Sequence, residues 1–312
     1  MKLKVLLIIL TLKFLITNSF SNEKVYIELK IDEEIITNID IKFEENYLIA
    51  LNNNLNKLPK SDLKNLAKDT IIREKIKKKE LMKYYDLEQE SSVVEDIIKD
   101  LFTRLEFKNR QEFIKYLSKF GLNIDDLKEK LKIEAMWNHL IFTKYKNKIE
   151  IDENKLRKKL KKNISEDNYA AYEFFLNEIL FELKKGETLD KKYKKILNLV
   201  ETQGFKNSAN IFGISETSKF GGEIGWIRKT QLSNQISKEL EKIELGKVTN
   251  PIKTPNGYLI LKVSDKRKIE KEINIENELK KLIQIEKNKQ FGEFSVLYFN
   301  KIKQNIYIRN NV

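Results

Sequence analysis

Few residues in this chain have the chemistry of a nucleophile, a redox centre or a metal ligand. The 312-residue sequence contains no cysteine, and His139 is its single histidine. The chain therefore lacks disulfides, thiol nucleophiles and zinc–thiolate sites, and it cannot form a two-histidine metal cluster by itself. These absences argue against most hydrolases and metalloenzymes. We expect no metal and no cofactor, and a structural or surface role for His139.

Two short motifs stand out instead, and both combine a glycine turn with apolar or aromatic residues. Residues 221–226 read Gly-Gly-Glu-Ile-Gly-Trp, a glycine turn that leads into an aromatic anchor. Residues 255–257 read Pro-Asn-Gly between two apolar runs, which predicts a β-hairpin. Core packing is the simpler role for most other aromatic residues, including Trp137.

Charge is spread along the whole sequence. Lysine and arginine number 60 against 47 acidic residues, which gives a net charge of +13, but only seven of the 60 are arginine. Specific phosphate recognition favours clustered arginine forks. We therefore interpret the charge as a solvated surface and expect no nucleic-acid partner.

The first 21 residues resemble a secretory signal peptide. Lys2 and Lys4 precede an apolar run, and Ser19 and Ser21 supply the small residues of a cleavage site. The alternative is an uncleaved anchor, but Lys13 interrupts a run that is shorter than the ~20 apolar residues of a membrane span. We expect cleavage after Ser21 and no stable membrane insertion of the mature chain.

Glycine divides the remaining sequence into two kinds of segment. Eight of the ten glycines lie between residues 186 and 257, as do two of the three prolines. The flanks are poor in glycine and carry apolar residues at helical spacing. A turn-rich unit that contains β-strands is therefore predicted between two helical segments.

The N-terminal flank is predicted to begin with a strand over residues 25–31 and a short return through Ile35 and Ile36. Thr37 and Asp40 have the spacing of a capping box. Four further helices are then expected, at about 61–87, 94–105, 113–120 and 124–149. Gly121 should end the helix at 113–120, and Asn123 should cap the helix at 124–149. A lysine-rich helical connector is expected at 152–163.

The C-terminal flank returns to helical spacing from about residue 275 and ends in an alternating run at 305–309. This run and the strand at 25–31 are each isolated in sequence, and a lone strand exposes an unpaired edge. We predict that the two strands pair, so that both ends of the chain build one unit around the inserted segment.

The inserted segment is predicted to contain a strand at 172–182, helices at about 187–203 and 231–243, and a hairpin over 248–263. Together with the motifs Gly221–Trp226, Leu245–Val248 and Gly257–Val263, this order resembles the parvulin (PpiC-type) domain over about residues 166–268. The flanking segments resemble SurA-type chaperones of the periplasm. The best-known members have two such domains, and this chain has room for one.

The resemblance implies an α+β fold with a mostly helical N-terminal chaperone domain, completed by a C-terminal helix and strand and carrying an inserted parvulin-like α/β domain. The predicted boundaries are 1–21 for the signal peptide, 22–164 for the N-terminal domain, 165–268 for the parvulin-like domain and 269–312 for the C-terminal helix and strand. We call 165–268 the insert, and the two segments around it the helical unit.

The site residues implied by the resemblance depart from the family pattern. Parvulins usually have a histidine in the first strand, where this chain has Glu178, and another in the last strand, where it has Leu259. Glu178 is expected to face solvent near a strand edge. Leu232 and Ile236 take the positions of the apolar pair that contacts a proline ring, so Leu232, Ile236 and Leu259 are the predicted substrate-binding residues, with no catalytic residue assigned.

Three functions follow as hypotheses. The first is a periplasmic chaperone that binds unfolded polypeptides, especially outer-membrane β-barrel precursors, and whose parvulin-like domain is degenerate. The second is an active parvulin-type peptidyl-prolyl cis-trans isomerase with an altered site. The third is a structural periplasmic protein without clients. Isomerase kinetics and client binding distinguish them.

Overall fold

The computed structural model describes residues 24–88, 92–165, 172–184, 186–269 and 274–310. The predicted signal peptide lies outside these ranges. Within them, every helix is too short or too polar to cross a lipid bilayer.

The helical unit opens with a small sheet that joins the two ends of the chain. Strands β1 (Ile27–Ile31), β2 (Glu34–Thr37) and β7 (Ile308–Asn310) form an antiparallel sheet in the order β2-β1-β7. Lys30 pairs with Arg309 across this sheet, and the Asp32 backbone N–H donates to the Tyr307 carbonyl at 2.8 Å. The predicted pairing of the terminal strands is confirmed.

Six helices follow the first hairpin, and their bounds are α1 (Asn38–Leu51), α2 (Lys60–Leu81), α3 (Ser92–Arg104), α4 (Arg110–Ser118), α5 (Ile124–Tyr145) and α6 (Glu153–Ser165). Both predicted caps are confirmed: Thr37 and Asp40 form a capping box at α1, and Asn123 and Asp126 form one at α5. Such caps satisfy backbone N–H groups that have no partner within the helix, which is why they were readable from local sequence.

Two helices are shorter than predicted. Helix α2 ends at Leu81 rather than near Leu87, because the backbone N–H groups of Tyr84 and Tyr85 both donate hydrogen bonds to the Leu81 carbonyl and form a turn. Helix α5 ends at Tyr145 rather than near Ile149, and a 3₁₀ turn at Lys146–Lys148 follows it.

The C-terminal helix α10 (Ile275–Lys303) packs on α5 through aromatic residues. Trp137 is fully buried and stacks on Tyr298 with ring centres 5.7 Å apart, while Tyr145 stacks on Phe294 at 4.5 Å. The start of α10 also packs on Leu160 of α6 through Leu279 and Leu282. The helical unit is therefore built from segments on both sides of the insert.

The insert contains a four-stranded antiparallel sheet in the order β4-β3-β6-β5. Its elements are, in chain order, β3 (Tyr172–Phe181), α7 (Leu189–Gln203), α8 (Phe205–Phe212), β4 (Glu223–Arg228), α9 (Asn234–Glu241), β5 (Ile252–Thr254) and β6 (Gly257–Lys268). Ile179, Phe181 and Ile260 face α7 and α8 on one side of the sheet. The α+β fold with an inserted parvulin-like unit agrees with the prediction, whereas the boundaries at 165 and 268 stay predictions.

Helix α8 was missed in the sequence. It begins directly after Gly204, whose φ of +86° lets the chain change direction between two adjacent helices. The predicted helix at 231–243 was also too long, since a 3₁₀ turn at Lys229–Gln231 precedes the shorter α9.

Polar contacts join the insert to the helical unit. The Asn52 side-chain amide donates to Asn210 Oδ1 at 2.8 Å, and Lys219 pairs with Glu134 of α5 at 2.7 Å. At the end of β4, Arg228 pairs with the buried Glu278 of α10 at 2.5 Å.

Candidate functional site

The three predicted substrate-binding residues meet on the sheet face opposite α7 and α8. Leu232 is 8% exposed, and Ile236 and Leu259 are partly buried against the same apolar cluster. The other members of this cluster are Phe174, Leu176, Ile227, Leu240, Ile252, Leu261 and Val263. The sequence therefore identified side chains that the fold brings together, although their role in binding stays a prediction.

Local backbone structure positions this apolar surface. Ser233 caps α9 by accepting a hydrogen bond from the Ile236 backbone N–H at 3.2 Å, which fixes the first turn of the helix above the sheet. Leu259 lies on β6 between Leu180 of β3 and Ile252 of β5. Leu259 therefore has a strand on either side, and α9 covers the sheet face that it shares with Leu232 and Ile236.

The expectation that Glu178 faces solvent near a strand edge is wrong. Glu178 lies on β3, which runs between β4 and β6 in the interior of the sheet, and its side chain is half-buried. It is directly opposite Leu261. Residues paired in this way project from the same face, so Glu178 shares the sheet face of the apolar cluster.

The Glu178 carboxylate ends a short chain of polar side chains. Thr217 Oγ1 donates to Glu178 Oε1 at 2.7 Å, and the Ser215 and Thr217 hydroxyl oxygens are 2.8 Å apart. Sequence reasoning missed both hydroxyl residues. The only local signal was their position in the loop just before the Gly221-Gly222 pair, and the loop's return to β3 depends on the fold.

Gly222 explains why that loop can approach β3 so closely. The Glu178 backbone N–H donates to the Gly222 carbonyl at 2.7 Å, and a Cβ added to Gly222 would lie 2.0 Å from the Glu178 carbonyl oxygen. Gly222 also has a φ of +74°, in the region that favours glycine. A residue without a side chain is needed here to hold Thr217 beside Glu178.

Trp226 contributes to the surface rather than to the apolar cluster. Its ring packs edge-on against Phe175 at 5.4 Å, and the Arg267 guanidinium lies 4.0 Å from its centre. Glu173 joins Arg267 to Arg228, with contacts of 2.7 and 3.3 Å. Burial acts to raise the pKa of Glu173, but hydrogen bonds from both arginines outweigh it and lower that pKa overall.

The site combines an apolar cluster with one carboxylate and two hydroxyls as its polar part. The chain's only histidine, His139, lies outside the insert on an exposed part of α5, with its ring 5.9 Å from that of Tyr85. Among the described residues, no group of three histidine, cysteine, aspartate or glutamate side chains is arranged to hold a metal ion.

This combination of sheet, helices and apolar face belongs to a known class of domain. Residues 175–265 match the family model of the rotamase domain described as the PPIC-type PPIASE domain. The parvulin resemblance of the insert is thereby confirmed, and residues 175–265 form a PpiC-type domain.

Sequence similarity to chaperone SurA extends beyond the insert. The chain is 28% identical over 163 residues to chaperone SurA of Pseudomonas putida, a match that covers 50% of this chain and 38% of that protein. It is 30% identical over 90 residues to foldase protein PrsA of Bacillus subtilis, covering 28% and 29% of the two chains. A solved SurA-like chaperone of Campylobacter jejuni is 15% identical, with a TM-score of 0.37 and coverage of 91% and 98%.

The family match and the sequence similarity to chaperone SurA confirm the predicted resemblance to SurA-type chaperones that carry a PpiC-type domain. The matching segments nevertheless span less than half the length of the SurA and PrsA chains named above.

Proposed function

We propose that this protein is a periplasmic folding factor that binds unfolded outer-membrane β-barrel precursors, and that its parvulin-type domain has little isomerase activity. The observation that carries the proposal is the composition of the sheet face. The apolar surface of Leu232, Ile236 and Leu259 is kept, while Glu178 and Leu259 replace the two usual histidines. Unfolded β-barrel strands alternate apolar and polar residues, so an apolar surface suits them.

Isomerisation makes a different demand. Rotation about an X–Pro bond has a barrier near ~20 kcal/mol and takes tens of seconds without a catalyst. An enzyme must stabilise the twisted amide through placed polar groups, and removing one such contact typically costs about a hundredfold in rate. Leu259 offers no polar group at all.

One observation favours the alternative of an active isomerase with an altered site. Glu178 lies on the face of the apolar cluster and accepts a hydrogen bond from Thr217. In this alternative, the carboxylate–hydroxyl pair beside the apolar cluster replaces the histidine network, so Glu178→Gln and Thr217→Val should each lower the isomerisation rate.

Two assays on one preparation test the proposal. We expect isomerisation of a proline peptide to stay near the uncatalysed rate, and aggregation of an unfolded outer-membrane protein to be suppressed. Ile236→Asp should weaken this suppression, because it places a charge in the apolar cluster. Leu297→Asp is the matched control, since Leu297 is 61% exposed on α10.

Each other result has a clear meaning. If the natural protein isomerised the peptide fast and Glu178→Gln abolished this activity, the protein would be an active isomerase instead. Absence of both activities would favour the structural protein. Unchanged suppression in Ile236→Asp would move client binding to the helical unit.

The periplasmic location rests on the predicted signal peptide. Mass spectrometry of protein purified from its native host should find Asn22 as the first residue. Membrane-embedded protein that retains Met1 would contradict both the cleavage and the location.

A further inference from the structure

The helical unit contains an open cleft of about 390 Å³, and the residues that line it belong to a different part of the sequence from the site described above. Its walls are β2, the first half of α1, the middle of α2 and the start of α5. Phe43, Ile36 and Ile71 supply apolar surface to it. The cleft is large enough for one long side chain of a ligand.

The charge of the cleft is opposite to that of the protein. Six carboxylates line it, against the ammonium groups of Lys75 and Lys130, although the whole chain carries +13. The six are Asp40, Glu44, Glu74, Asp125, Asp126 and Glu129. Lys75 is also paired with Glu34 outside the cleft. A local excess of acid on a basic protein attracts cations.

Glu44 shows that this is more than a cluster of surface acids. Its side chain is 1% exposed, and it pairs with Lys130 through Oε2 at 2.6 Å. Its other oxygen, Oε1, is buried and accepts no hydrogen bond. A buried carboxylate oxygen without a donor is costly, and burial accordingly raises the pKa of Glu44. A donor that entered the cleft would remove this cost.

Lys130 does not neutralise the site by itself. It is shared between Glu44 and Glu74, and Lys219 adds a more remote positive charge that also acts on Glu44. At the rim, Asp125 and Glu129 are exposed. Their contacts with Lys128 and Lys132 are long and solvent-exposed, at 3.9 and 3.6 Å, and such contacts neutralise charge only weakly. Negative charge therefore remains at the entrance of the cleft.

The shape of the cleft favours an organic cation over a metal ion. Within the described ranges, no three carboxylates converge closely enough to hold a metal. An apolar wall beside the acids suits a side chain with an aliphatic stem and a charged end, because such side chains bury the stem while the head stays paired. Lysine and arginine have this form.

We propose that this cleft binds a lysine or arginine side chain of an unfolded polypeptide and so forms a second client contact in the helical unit. The inference rests on the proposed chaperone function. It adds a specificity that the insert does not have, namely a preference for clients in which a basic residue accompanies apolar ones.

Peptide titration of the whole chain tests this inference. The probes are two 14-residue peptides that alternate leucine with either lysine or glutamine. The double variant Asp125→Asn, Glu129→Gln removes the rim charges and should weaken binding of the lysine peptide about threefold to tenfold, with little effect on the glutamine peptide. The control pair Asp96→Asn, Asp100→Asn removes the same charge from an exposed face of α3.

The variant Glu44→Gln, at the floor of the cleft, should also weaken binding of the lysine peptide. Its melting curve shows whether the fold is intact. Equal effects of the rim and control pairs, or equal affinity for both peptides, would overturn the cleft assignment and leave the chaperone proposal standing. If neither peptide bound the natural protein, the chaperone proposal itself would fail.

Discussion

Trp137 Nε1 donates a hydrogen bond to Ser295 Oγ at 2.8 Å. This bond joins α5 to the C-terminal helix α10, two helices that the insert separates in the sequence. The indole is fully buried against Tyr298 and Phe299. A buried N–H must have an acceptor, so Ser295 gives the C-terminal helix one defined position on α5.

Replacing that acceptor should destabilise the helical unit. We expect Ser295→Ala to lower the free energy of unfolding by about 1–3 kcal/mol, because the Trp137 N–H would remain buried without an acceptor. Chemical denaturation followed by tryptophan fluorescence measures this change. Ser118→Ala, at an exposed position at the end of α4, is the control, and an equal loss in both variants would argue against a special role for the Trp137 bond.

Deleting residues 303–312 should unfold the N-terminal helices while the insert keeps its own melting transition. The deletion removes β7, the partner of β1, and also Ile306, which packs against the first core cluster. Differential scanning calorimetry should show one transition lost and one retained. Arg309→Ala, which keeps the backbone of β7, should retain both; survival of the helices in the deletion would refute closure by the C-terminal strand.

Two identical substitutions should have opposite effects on stability. Gly222→Ala places a Cβ 2.0 Å from the Glu178 carbonyl oxygen at a φ of +74°, so we expect a loss of about 2 kcal/mol or more. Gly292→Ala lies within α10 with no atom near the new Cβ, and should stabilise by about 0.5–1 kcal/mol. Thermal melts of both variants provide the comparison, and a neutral Gly222→Ala would show that the loop moves freely.

Acid should weaken the helical unit through Glu28. Burial acts to raise the pKa of this carboxyl, but hydrogen bonds from Lys64 and Lys68 outweigh it, so the pKa is lowered on folding. The unfolded chain then binds the proton more readily. The stabilising contribution is complete above the ordinary glutamate pKa of about 4.3 and disappears as the pH falls through the lower folded value.

We therefore expect the free energy of unfolding to fall less steeply between pH ~5 and ~3 in Glu28→Gln than in the natural protein. Glu33→Gln, in the exposed turn after β1, removes the same charge and serves as the control. Parallel pH curves for all three proteins would contradict the assignment to Glu28.

Features that depend on a few neighbouring residues were predictable from sequence. The caps at Thr37 and Asn123 each need only a side chain three residues ahead, and the Pro-Asn-Gly turn lies within one hairpin. The pairing of the terminal strands was also predictable, because an isolated strand needs a partner and each flank supplied one.

The position of Glu178 was not predictable in this way. Whether a strand is central or at an edge depends on the order of strands, which joins β3 to β4 and β6 from distant parts of the chain. The same holds for Thr217, which reaches Glu178 across 39 residues, and for the Asn52–Asn210 contact across 158. Such contacts depend on tertiary packing, which cannot be predicted from a few neighbouring residues.

The sheet of β2, β1 and β7 also has a consequence for the order of events during synthesis. Tyr307, whose backbone donates to Asp32, is translated 275 residues after it. At about 5–20 residues per second, the first strand waits on the order of tens of seconds for its partner. The insert, whose strands all lie within one stretch, has its full sequence available sooner. The nascent helical unit therefore spends that interval with an open edge, itself in need of protection from aggregation.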